Sequence, residues 1–209
     1  MSKPKTVGTP EDEASPLRAR DRIFAAADDL FYRHGIRAVG VDAIVKEAGV
    51  AKISLYRSFP SKDDLVVAYL ADRNADYWRR WDLAFAKHEG DPRAQLRAMM
   101  EHLADRTTAP DYRGCPFTND ATEFPEPSHP GRQVAEANKR ELRLRLLRLA
   151  EALGAPEPKV LADSLVLLVE GAYAISQTLG GRDGPGKAIA WAAEALVEAQ
   201  LGQGGAKVG

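Results

Sequence analysis

The segment AGVAKISLYRSFPSKDDL, residues 48–65, permits few folds. Gly49 separates a run carrying Ile44, Val45 and Ala48 at helical spacing from a second helical run, Lys52 to Phe59, before Pro60 and Ser61 punctuate the start of a third. Helices of about eight residues are marginal in water, so the first two persist only by packing on another element. The preceding residues supply one. Ile23, Ala27, Leu30 and Phe31 recur at helical spacing between Leu17 and His34, and Gly35 follows as a left-handed cap. A compact three-helix unit is expected, with Gly49 providing the positive φ that a sharp turn requires.

Ser61 stands three residues before Asp64, the spacing of a capping box, and should open a long helix running to about His88. Aspartates in its first turn suit the positive end of the helix dipole, whereas Lys62 opposes it at about 0.3–1 kcal/mol unless an anion is shared. A phosphate would be held by the lysine and the helix N-terminus together; a solvated surface lysine is the plainer reading. Beyond Gly90 the periodicity predicts helices over Asp91 to Thr108, about Gly131 to Leu153, Val160 to Leu179 and Lys187 to Leu201, with no competing strand pattern. Residues 110–131, broken by Pro110, Pro116, Pro125, Pro127 and Pro130, read as loop with at most a short helix. The expected fold is all-α, with a three-helix N-terminal domain over 17–62 followed by a helical bundle over 63–202. Residues 1–16 have the composition of a disordered arm, and 203–209 that of a flexible tail.

Net charge over 209 residues is only −1, yet residues 17–62 carry nine Lys or Arg against five acids while 63–209 carry a net −4. The N-terminal segment is thus the basic part of the chain. With 44% hydrophobic residues the chain can bury a sizeable core, and the lone Cys115 excludes an intramolecular disulfide and fits a reducing compartment. The start lacks the apolar core of a secretory signal. The most apolar stretch, 160–179, is interrupted by Asp163, Ser164, Glu170 and Gln177 and reads as a buried helix, not a membrane span. A cytoplasmic protein without membrane partners is expected. The last two helices, one apolar almost all round and one alanine-rich, are expected to form core plus a homodimer interface, a monomer interior being the alternative.

Gly35, Ile44, Ala48-Gly49-Val50, Leu55-Tyr56, Phe59, Ser61-Lys62 and Leu65 place the apolar and glycine positions of a helix-turn-helix. The combination resembles the N-terminal signature of the TetR (tetracycline-repressor) family of bacterial regulators. The resemblance covers roughly residues 17–70 and implies a dimeric transcription factor. Its third helix would enter the major groove of a double-stranded DNA operator, while the C-terminal domain binds a small-molecule effector. It places Lys52, Ile53 and Ser54 at base edges and Tyr56 and Lys62 on phosphates. The chemistry agrees: Lys52 can donate to guanine, Ser54 can donate or accept, Ile53 can touch a thymine methyl, and a Tyr56 phenol positions without specifying. Arg37, Arg57 and Ser58 complete the candidate DNA contacts. Gly40 departs from the usual threonine and Ala51 from the usual serine, and loss of a side-chain cap typically costs about 0.5–2 kcal/mol. Asp42 either caps the second helix or repels phosphate.

GRDGPGKA, residues 181–188, matches a phosphate-binding loop except that Ala188 replaces the magnesium-binding hydroxyl, and it follows a helix rather than a strand. It is expected to be an ordinary interhelical loop. The four histidines show no metal spacing, so no metal or cofactor is expected. Nor is catalysis. A Cys115 nucleophile with His102 or His129 would make a helical small-molecule enzyme, the alternative to a regulator; an activator of the same fold is another. Candidate effector contacts are the apolar Trp78, Trp81, Met99, Leu103, Phe117, Phe124 and Tyr173 and the polar His102, Arg106, Glu170 and Gln177, each of which also has a packing explanation. Glu170 in an apolar helix points either to a cationic ligand or to a basic partner within the chain.

Overall fold

A computed structural model describes residues 16–203. Within them the chain is helical: α1 (Pro16–His34), α2 (Val41–Ala48), α3 (Lys52–Ser58), α4 (Lys62–Ala86), α5 (Pro92–Thr107), α6 (Pro116–Glu123), α7 (Pro130–Ala152), α8 (Pro158–Ile175), a 3-10 turn (Pro185–Ala188) and α9 (Ile189–Gln203). The arm expected at 1–16 and the tail at 203–209 lie outside the described residues, except that Pro16 and Gln203 end α1 and α9.

α5, α6, α7 and α8 each open on a proline, where the missing N–H is one the helix leaves unpaired anyway. That is how a proline-broken stretch expected to be mostly loop accommodates the eight residues of α6. α8 stops at Ile175, short of the expected Leu179, where the polar Ser176, Gln177 and Thr178 follow. The chain folds back there so tightly that a Cβ on Gly180 would lie 2.1 Å from the Ser176 carbonyl oxygen.

Contacts divide the chain into Met1–Tyr69 and Leu70–Gly209. In the first unit α1, α2 and α3 pack on one another around Ile23, Ala27, Phe31, Ile44 and Leu55, with Leu65, Val66 and Tyr69 of α4 also buried. The Tyr69 ring meets Phe31 edge-on at 5.6 Å. Gly49 closes α2 at φ 61°, its N–H bonding the Lys46 carbonyl and the Val50 N–H that of Val45, the paired bonds of a Schellman motif. From α1, Arg22 donates to the Gly49 carbonyl at 2.9 Å. Gly49→Ala would force a side chain into the left-handed region and place its Cβ 2.6 Å from the Arg22 guanidinium. The expected loss is about 1–2 kcal/mol, seen as faster amide exchange over residues 41–58 with little change beyond Leu70.

In the second unit Leu96 and Met100 of α5, Leu142 and Leu146 of α7, Leu161, Leu165 and Val169 of α8 and Ala193 and Val197 of α9 form the core. Arg93 and Arg97 of α5 pair with Glu194 of α9 at 3.3 and 3.2 Å. α8 and α9 are not buried all round: Leu167 is 74% and Trp191 75% exposed.

Candidate nucleic-acid interface

α3 has a buried side and an exposed side. Leu55 and Phe59 are fully inward, Arg20 stacking its guanidinium 4.9 Å from the Phe59 ring centre. Ile53 is 68% and Tyr56 45% exposed, one turn apart, with Lys52 and Arg57 also exposed. An exposed isoleucine among cations has no packing role within this unit. Ala51 offers α3 no side-chain cap, and the Ser54 N–H bonds the Ala51 carbonyl instead. Ser54 and Ser58 are half-buried, and the Ser58 hydroxyl donates to the Ser54 carbonyl at 2.9 Å.

Asp42, Lys52 and Lys62, around α3, have partners. Asp42 does not cap α2, which opens on Gly40 without a side-chain bond; its carboxylate pairs with the Lys52 ammonium at 2.8 Å. That hydrogen bond and charge raise the Lys52 pKa. Arg37 is exposed in the loop between α1 and α2. Lys62, whose charge opposes the dipole of α4, reaches the Ile36 carbonyl in that loop at 2.6 Å and lies 5.9 Å from the Phe31 ring centre. A carbonyl from another element thus supplies the negative end that its own helix lacks. Ser61 accepts the Asp64 N–H at 3.0 Å and its hydroxyl donates to the Asp64 carboxylate at 2.7 Å, so the box closes side chain to side chain.

In the second unit the structure gathers only some of the candidate effector contacts. Phe117, Glu170 and Tyr173 meet around Lys139, whose ammonium is 2.6 Å from Glu170 Oε1, 3.2 Å from Cys115 Sγ and 5.4 Å from the Tyr173 ring centre. Glu170 therefore has a basic partner within the chain, and it also accepts the Thr118 hydroxyl at 3.0 Å. Tyr173 hydrogen-bonds Tyr77, and burial pushes both phenols up. Trp78 meets Tyr77 edge-on at 4.7 Å and Trp81 edge-on at 5.7 Å, with the Arg145 guanidinium 4.3 Å from the Trp78 ring centre. Arg106 lies over Tyr112, and Gln177 reaches Asn119 at 3.5 Å. Phe124 stacks on His129 at 3.9 Å. Met99 and Leu103 are core residues of α5, while burial, then Arg106 and Arg80, lower the His102 pKa. Sequence reasoning missed Lys139 and Tyr77. Nothing local distinguishes Lys139 from the other basic residues of α7.

Among the described residues no helix is long and apolar enough to cross a membrane, and no group of three or more His, Cys, Asp or Glu could hold a metal. A short exposed helix carried on two others through a glycine turn defines a helix-turn-helix DNA-binding protein.

The family model for bacterial regulatory proteins of the tetR family matches residues 23–69. A TetR transcriptional regulator from Streptomyces avermitilis is 33% identical with a TM-score of 0.78, over 90% of this chain and 98% of that one. A TetR-family regulator from Streptomyces coelicolor is 29% identical with a TM-score of 0.79, over 90% and 96%. The HTH-type transcriptional regulator LmrA of Bacillus subtilis is 25% identical over 163 residues, 77% of this chain and 87% of that protein. The chain belongs to the TetR family: it is a DNA-binding transcriptional regulator, not an enzyme.

Proposed function

We propose that the protein is a cytoplasmic homodimeric repressor released from a palindromic operator by a small-molecule effector. Residues 17–62, with the start of α4, are the DNA-binding domain, and residues 63–202 bind the effector and dimerise. The observation carrying this reading is Ile53, 68% exposed beside Lys52 and Tyr56 on a helix whose other side is buried. Lys52, Ile53 and Ser54 face base edges, and Arg37, Tyr56, Arg57 and Lys62 face phosphates. Ser58 would have to give up its bond to the Ser54 carbonyl to donate to a phosphate. Exposed Leu167 and Trp191, with the small exposed residues Gly171, Ala174, Ala195 and Ala199, support dimerisation through α8 and α9. The half-buried polar cluster of Tyr77, Lys139, Glu170 and Tyr173 supports an effector site among α4, α6, α7 and α8. Release requires an effector that favours recognition helices no longer matching half-sites about 34–36 Å apart.

The test is binding of a duplex enriched from a random library against a scrambled duplex of equal length, over a range of salt. Lys62→Ala should lower the salt slope by about one, because one cation leaves the phosphate array. Tyr56→Phe should weaken both duplexes about tenfold without changing the slope, since a neutral phenol displaces no counterion. Equal binding of enriched and scrambled DNA by the wild type would sink the operator reading.

A further inference from the structure

We propose that Asp42 is a specificity-determining residue of the DNA interface: it holds the Lys52 ammonium toward base edges and withholds it from phosphates. The inference rests on Lys52 lying at the bases, as proposed above. Lys52 is the first residue of α3 and Asp42 lies in the first turn of α2, so the Gly49 turn brings the two helix starts together and the side chains meet at 2.8 Å. The carboxylate is not occupied in capping α2. Both side chains are open to solvent, Lys52 at 52% and Asp42 at 83%, so the pair lies on the surface a duplex would meet and is not a core contact.

The geometry gives each partner a consequence for DNA. A lysine on a flexible four-carbon stem is drawn to the nearest phosphate whatever the sequence, because that attraction carries no base information. An ammonium has three N–H donors, so one bond to Asp42 orients the group while others can address guanine O6 and N7. Asp42 itself is repelled by phosphates. On a duplex lacking the right base, the pair presents no net charge and adds nothing to counterion release. On the right duplex Lys52 bonds base and carboxylate together.

The experiment uses the full-length chain, the duplex enriched by the wild type and a scrambled duplex. Asp42→Asn, isosteric and exposed, is expected to leave thermal unfolding unchanged while raising affinity for scrambled DNA about five- to tenfold and steepening its salt slope by about one. Affinity for the enriched duplex should rise less, so the specificity ratio falls, and library selection should lose its preference at one position per half-site. In a Lys52→Ala background Asp42→Asn should change neither the ratio nor that position. An equal rise on both duplexes, or the same change without Lys52, would show Asp42 to be only a repelling charge and overturn the proposal. If Lys52→Ala relaxes one position and Asp42→Asn does not, the role of Asp42 alone fails. If Lys52→Ala relaxes none, the placement of Lys52 at the bases fails and this inference with it.

Discussion

Asp120→Asn is expected to stabilise the Leu70–Gly209 unit by about 2–3 kcal/mol at pH 7.5 and to leave it nearly unchanged at pH 3. The Asp120 side chain is fully buried on α6, and neither carboxylate oxygen has a hydrogen-bond partner among the described residues. It lies so close to the start of α7 that a Cβ at Gly131 would be 2.6 Å from Oδ1, leaving glycine the one residue that fits without displacement. Burial pushes the carboxyl up from 3.8 to about 6; the charge of His129 opposes the rise, Glu123 adds to it and Arg132 opposes it. A raised carboxyl means the native state binds the proton more tightly than the unfolded chain. Its contribution is therefore full below about pH 4 and is lost as pH rises through 6, an interval of about two units worth about 3 kcal/mol. Asparagine never ionises and escapes that loss. Trp78, Trp81 and Trp191 all lie in this unit, so urea unfolding followed by tryptophan fluorescence at fixed protein concentration reads it directly. Wild type and variant curves running parallel from pH 3 to 8 would show that Asp120 is not a buried ionising group.

Glu170→Ala should destabilise the same unit by about 2–3 kcal/mol, more than the double replacement Lys139→Met with Glu170→Leu, which should cost about 1 kcal/mol or less. Lys139 and Glu170 are about a quarter exposed, at 27% and 26%, and the ammonium is surrounded by the Cys115 sulfur and the Phe117 and Tyr173 rings. Removing the carboxylate leaves a desolvated cation without its counter-charge, whereas removing both charges restores an apolar contact. Breaking a fully buried pair costs about 3–5 kcal/mol, and partial exposure brings the expectation down. Burial alone pulls the Lys139 pKa down; the charges on Cys115 and Glu170 outweigh it, and the net shift is upward. A raised lysine pKa keeps the pair's contribution intact below pH 10.5, so the Glu170→Ala loss should be flat from pH 6 to 8. That flatness separates it from the Asp120 profile. A double variant as unstable as Glu170→Ala would show the residues acting through packing and not charge.

The elements that carry DNA binding were legible because their signals are local. Ile44, Ala48, Leu55 and Phe59 fall inward as their spacing predicts, and Gly49 adopts the positive φ that a turn between short helices needs. The prolines were legible as breaks, but they open α6 and α7, because a break and an N1 position look alike without the helix that follows. The end of α8 was placed four residues late because Ser176 to Thr178 continue as turns that keep helix-like bonding, the Leu179 N–H still reaching the Ile175 carbonyl at 2.8 Å. The charges behaved differently. Lys62 presents a dipole mismatch that the Ile36 carbonyl, 26 positions away, helps to answer, and Glu170 presents an acid whose partner, Lys139, lies 31 positions away.

The sequence alone determined where most of the helices form and which of their residues turn inward, α6 and the end of α8 excepted, since periodicity, glycine and proline act through neighbours within a turn or two. The tertiary structure decided how the charges are matched: Lys52 with Asp42, Lys139 with Glu170, and Asp120 with no hydrogen-bonding group among the described residues. Pairing depends on distance and on water removed by elements remote along the chain, and neither quantity is written in the order of the residues.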